Sequence, residues 1–120
     1  MKPGINSTSF GSITIDGEKY EKDQIIELSG NVRKRKKKLS KKIFGTSHTI
    51  SIEEAEAIFE DGAEKIIIGT GQYGRVELSE EAAEFFKSKN CELILQPTPE
   101  AIKTWNNMEG EIIGMFHVTC

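Results

Sequence analysis

The residues best able to do chemistry in this chain are a glycine string, two histidines and a lysine-rich tract. Gly69-Thr70-Gly71-Gln72-Tyr73-Gly74 directly follows the apolar run Ile66-Ile67-Ile68 and matches the Gly-x-Gly-x-x-Gly spacing of dinucleotide-binding folds. Glycines after a strand permit a sharp turn at positive φ and let a ligand approach the backbone without meeting a Cβ, so Gly69, Thr70, Gly71 and Gly74 are candidate anion binders. A dinucleotide site needs a helix opening inside the string, because the helix N-terminus supplies the N–H groups and dipole that hold a pyrophosphate. Here Arg75-Val76-Glu77-Leu78 intervenes as a short extended segment, and the first N-cap is Ser79. The position about 20 residues on, where an acid would grip a ribose, is the neutral Gln96. The string reads as a tight strand-end turn able to take a small anion, and no cofactor is expected.

The histidines are His48, in the polar loop Gly45-Thr46-Ser47-His48, and His117, beside Phe116 in the last strand. Imidazole can act as a general base near neutral pH. Ser47, His48 and His117 are therefore candidate ligand residues if their loop and strand converge on the glycine turn. The competing reading is that one histidine bonds loop backbone, the other is a half-buried strand residue, and the loop hydroxyls bond backbone. No Ser-His-Asp order or nucleophile elbow surrounds Thr46, Ser47 or Thr70, so no catalytic residue is assigned. Cys91 and Cys120 lack metal-ligand spacing with either histidine, no metal is expected, and free thiols in a reducing compartment are the economical reading.

Arg33-Lys34-Arg35-Lys36-Lys37-Lys38 and Lys41-Lys42 place eight basic residues within ten positions. Elsewhere eight Lys and Arg stand against nineteen Asp and Glu, so the chain is bipolar although its net charge is only −3. If the tract is extended, Arg33, Arg35 and Lys37 face one way and Lys34, Lys36 and Lys38 the other, so neither face can be buried. That describes a solvated edge arm, with Arg33, Arg35, Lys36, Lys37 and Lys38 available to a protein partner or to the acidic remainder of a second copy. The same charge could hold nucleic acid by counterion release, but no aromatic is interleaved for stacking on single strands.

These residues need elements to hold them. At 120 residues the chain fits one domain, 1–120. No apolar N-terminal segment marks secretion and no stretch approaches a membrane span, so a cytoplasmic protein without membrane partners is expected. Phe10 to Tyr20 reads as a hairpin turning at Asp16-Gly17, and Ile25 to Val32 onward as a second, turning at Ser29-Gly30-Asn31. Ser51-Ile52-Glu53-Glu54 is a capping box opening a helix with Ile52, Ala55, Ile58 and Phe59 as its apolar stripe. The second half alternates as βαβαβ: strand 66–68, helix 80–89, strand 91–95, helix 99–108 capped by Thr98 with Pro99 first, and strand 112–118. Right-handed crossovers set the first two of these strands parallel.

Phe10-Gly11, Gly45-Thr46-Ser47-His48, Ile68-Gly69-Thr70-Gly71, Pro97-Thr98-Pro99-Glu100-Ala101 and Phe116-His117-Val118-Thr119-Cys120, in this order, resemble a small domain family first known from an archaeal protein of unknown function. Its eukaryotic relatives include the adipogenesis-associated domain protein and a mitochondrial complex I assembly factor. The resemblance implies a three-layer α/β fold with a central mixed sheet whose last strand runs antiparallel, helices, and an extra N-terminal β-hairpin layer. It also implies a non-enzymatic accessory role in protein binding, since no catalytic activity is established for the family. The residues themselves leave open a small-anion-binding protein or enzyme built on turn 69–74, and nucleic-acid binding through arm 33–42.

Overall fold

The computed structural model describes residues 2–120. Three short strands open the chain: β1 (Ile5–Ser9), β2 (Ser12–Ile15) and β3 (Glu18–Tyr20), paired as an antiparallel meander. Asp16 and Gly17, at φ 50° and 82°, make the left-handed two-residue turn that a right-twisted hairpin demands. β2 puts Ile13 and Ile15 into the core while Thr14 stays near the surface. The second expected hairpin is β4 (Gln24–Ile26) against β5 (Val32–Lys34).

The basic tract departs from expectation after Lys34. The chain turns inward at Arg35, whose N–H donates to Asp23 O at 3.0 Å, and then coils into α1 (Lys38–Phe44). Gly45, at φ 72°, closes that helix and donates its N–H to Lys41 O. β6 (Thr49–Ile50) leads to α2 (Ile52–Ile58). Ser51 Oγ accepts from Glu54 N–H at 3.2 Å, the first half of the expected capping box. The reciprocal half is absent: Ser51 N–H donates to Ser40 Oγ, and the Glu54 carboxylate is fully buried. Ile52 lies at the surface, so Ala55 and Ile58 carry the buried stripe.

The remaining elements are β7 (Lys65–Gly69), β8 (Glu77–Leu78), α3 (Glu80–Ser88), β9 (Glu92–Gln96), α4 (Thr98–Asn107) and β10 (Ile112–Phe116). The main sheet has the order β5-β4-β10-β7-β9. β10, the last strand, is its hinge: antiparallel to β4, parallel to β7, with β7 parallel to β9. β6 and β8 pair as a short parallel ribbon that ties the His48 segment to the chain after the glycine turn.

The strand period of two divides the core into two faces. Ile66, Ile68, Ile113 and Met115 face α2 and α3, packing on Ala55, Ile58, Ala82 and Phe86. Ile67, Ile112 and Phe116 face the other way, onto α4 (Ala101, Trp105) and the meander (Ile13, Ile15). The result is a three-layer arrangement, with helices on one side and α4 plus the N-terminal meander on the other. A Cβ at Gly114 would come within 2.6 Å of the Phe116 ring and 3.0 Å of Trp105, so the close contact of β10 with that aromatic pair requires glycine.

Candidate functional site

The end of β10, the β4 entrance and the loop before β6 meet in one polar cluster. Arg35, 2% exposed, is its centre. Its Nε and Nη2 donate to the two Glu54 oxygens at 2.5 and 3.1 Å, Nη1 donates to Asp23 Oδ2 at 2.9 Å, and Nη2 also donates to Ser47 O at 2.7 Å. The planar fork of a guanidinium satisfies four acceptors from three segments at once, which lysine could not do. Ser40 Oγ donates to Glu54 Oε1, completing the carboxylate's shell.

Asp23 links this cluster to His117. Its Oδ2 lies 2.7 Å from His117 Nδ1, and its Oδ1 accepts from Val118 N–H at 2.9 Å. Burial alone would raise the Asp23 pKa. The hydrogen bond and charge of His117, the Val118 N–H and Arg35 outweigh it and hold the carboxyl down at about 2. Asp23 is therefore a fixed anion at neutral pH. His117 Nε2 reaches Thr119 Oγ1 at 3.1 Å, and the His48 ring stands edge-on to His117 with centroids 5.7 Å apart.

Beside this cluster lies a cavity of about 180 Å³, whose lining includes Lys34, Lys37, Ser47, His48, His117 and Thr119. Ser47, His48 and His117, singled out in the sequence, thus come together. Gly71 joins them from behind: a Cβ there would sit 2.8 Å from His117 Cδ2 and 2.3 Å from the Cys120 carbonyl carbon. The glycine turn itself is not an open cradle. Gly71 N–H donates to Thr98 Oγ1, Gln72 N–H to Thr119 O, Tyr73 and Arg75 N–H to Cys120 O, and Gly74 N–H to Gly71 O. Gly69 is close-packed on Thr98 and Phe116, and Thr70 and Gly74 line a different, more apolar groove with Tyr73, Leu93 and Leu95. Thr98, expected as a helix cap, instead clamps the turn to His117, its Oγ1 donating to His117 O at 2.6 Å.

The solvated-arm reading fails at two of its five residues. Arg33 is half-buried, bonded to Glu27 at 2.7 Å and to Ala57 O at 2.8 Å, and Arg35 is wholly internal. Of the five, Lys36, Lys37 and Lys38 remain exposed. Asp23 escaped the sequence reading and Glu54 entered it only as the acid of a capping box, because nothing in either neighbourhood marks a buried ion pair. The one available signal was arginine inside a lysine run, the residue type suited to buried, forked ion pairs. Cys91 is buried, its thiol pushed up to about 11 by desolvation. Among the described residues no group of three or more His, Cys, Asp or Glu is arranged to hold a metal ion, and no helix is long and apolar enough to cross a membrane.

Residues 5–116 match a family described as a protein of unknown function (DUF498/DUF598). The fold is similar to the crystal structure of a conserved hypothetical protein from Pyrococcus horikoshii OT3, at 35% identity and TM-score 0.91 over 100% of both chains. It is similar to the protein MT938 at 32% identity and TM-score 0.83, covering 99% of this chain and 100% of that one. A Mth938-like domain from Bordetella pertussis shares the fold at 12% identity and TM-score 0.68, over 97% of this chain and 85% of the other.

Proposed function

The chain belongs to the DUF498/DUF598 family of unknown function, and from that starting point we propose that it is a binding domain taking a small anion in the cavity beside His48 and His117. One observation carries the reading: Ser47, His48 and His117 converge in a single cavity with Lys34 and Lys37 of the basic tract. The site moves from the glycine turn, whose N–H groups are engaged, to the polar cluster that the turn supports. At about 180 Å³ the cavity is smaller than the roughly 300–1,000 Å³ of drug-sized sites, so the ligand is the size of phosphate, sulfate or a short carboxylate and not a nucleotide. Arg35 is taken up by the two carboxylates Asp23 and Glu54, and on the rest of the lining Glu21 stands against Lys22, Lys34 and Lys37, so these lysines and the His48 ring are the groups that meet an anion.

Thermal melts in phosphate, sulfate and acetate test it. A ligand at about a hundred times its dissociation constant stabilises by about 2.7 kcal/mol, a rise of about 10 °C for a chain of this size. His48→Ala and Lys37→Ala lose that rise while the unliganded melting point stays within a few degrees of wild type. No shift with any of these ions up to about 10 mM sinks the proposal.

A second reading has its own observation. Thr119 Oγ1, His117 and Asp23 stand in the hydroxyl–imidazole–carboxylate order of acyl-transfer enzymes, at 3.1 and 2.7 Å. In that chemistry Thr119 Oγ bonds the acyl carbon, its proton passes to His117 Nε2, and the leaving oxygen departs with that proton. Hydrolysis of p-nitrophenyl acetate that disappears in folded Thr119→Val supports it. Equal turnover in wild type and variant removes it.

A further inference from the structure

Charge is segregated over the helices, α1 being basic and the start of α3 acidic. α1 carries Lys38, Lys41 and Lys42 on its solvent face and ends in Ile43 and Phe44, 46% and 42% exposed. The groove between α2 and α3 has a volume of about 660 Å³ and is lined by Ile52, Glu80, Glu81, Glu84, Phe85 and Ser88. Among the described residues, none of these lysines or glutamates lies within 4 Å of an opposite charge.

Each patch is unfavourable alone. Lys38 and Lys42, and likewise Glu80 and Glu84, are like charges four apart on one helix, a spacing that costs a few tenths of a kcal/mol per pair. The two patches are complementary in both components, cationic with an apolar end against anionic with an apolar floor. α1 packs beside the N-terminus of α2, where the Ser40 and Ser51 hydroxyls meet at 3.3 Å, so the basic helix and the acidic groove are close neighbours. A two-fold axis can then present each to the other twice, as a self-complementary contact requires.

We propose that two copies of this chain associate through this face, α1 of each copy seated on the acidic α2/α3 groove of the other, with Ile43 and Phe44 against Ile52 and Phe85. The residues are distinct from those of the anion cavity, so the two proposals fail independently.

Sedimentation velocity of the full chain tests it. The expected result is a dimer in about 0.05 M salt that dissociates toward about 0.5 M, as the Debye length falls below the span of the contact. Lys41→Glu with Lys42→Glu, or Glu81→Lys with Glu84→Lys, raises the dissociation constant by about 100-fold or more, since like charges then face each other. An equimolar mixture of the two variants regains the dimer, because both contacts are again between opposite charges. Circular dichroism establishes that each variant is folded. A wild-type chain that stays monomeric at about 100 µM in low salt overturns the proposal, as do charge-reversed variants that still dimerise or a mixture that stays monomeric. A monomer that instead binds duplex DNA with steep salt dependence assigns the lysine face to nucleic acid and also overturns it.

Discussion

Replacing Arg35 by methionine removes the cation that two buried carboxylates share while keeping most of the side-chain volume. Glu54 is fully buried and Asp23 7% exposed, and Arg35 lies 2.5 Å from the one and 2.9 Å from the other. Breaking a buried pair from one side costs about 3–5 kcal/mol, because the orphaned charge keeps its desolvation penalty. For 120 residues the unfolding entropy near the midpoint is about 250 cal/mol/K, so about 4 kcal/mol lowers the melting temperature by about 16 °C. Urea titration followed by circular dichroism should show the midpoint falling with an unchanged slope.

A double-mutant cycle with Glu54 separates the mechanism from simple loss of packing. A loss under about 1 kcal/mol at neutral pH is the behaviour of a surface arginine, and would refute the buried-pair reasoning. Arg35→Met with Glu54→Met should recover much of the loss, since an apolar replacement of a buried ion pair is often neutral.

Two further outcomes follow from the same cluster. Asp23 has its folded pKa depressed to about 2 from 3.8, so it contributes about 2 kcal/mol that is present above pH 4 and lost as pH falls through 2; Asp23→Asn should abolish that part of the acid transition in pH-dependent melts. Gly71→Ala forces a Cβ to within 2.3 Å of the Cys120 carbonyl carbon at φ 108° and should destabilise by more than about 2 kcal/mol, whereas Gly74→Ala, whose Cβ meets nothing nearer than 3.5 Å, should cost only the roughly 1–2 kcal/mol of left-handed strain. Equal melting temperatures for the two glycine variants would show that the tail does not pack on the turn.

The βαβαβ half was legible because its signals are local. Ile66-Ile67-Ile68 is a strand covered on both sides, and Ser79 caps α3 where expected, its Oγ accepting from Ala82 N–H. The Asp16-Gly17 turn, the parallel pairing of β7 with β9 and the burial of Trp105 follow from equally short-range patterns. α1 was missed because Lys36 to Lys42 is nearly all lysine. Leu39 and Ile43 at helical spacing, with Gly45 behind them, were its only marks. The antiparallel side of β10 was expected, but its parallel side toward β7 depends on which strand reaches the sheet centre.

For the site, residue type located Ser47, His48 and His117 but not what holds them. Periodicity, caps and turns depend on residues within a few positions of each other, so the amino-acid order alone determined most of the elements, the parallel pairing of β7 with β9 and the strand-end turn at 69–74. Whether a charge is solvated or buried depends on segments far apart in the chain. Arg35 and Lys34 are neighbours in one basic tract, yet folding puts Asp23 and Glu54 around the first and solvent around the second. Only the tertiary structure could decide that, because the desolvation cost of Arg35 is offset by partners 12 and 19 residues away that meet it only after the sheet and α2 have packed.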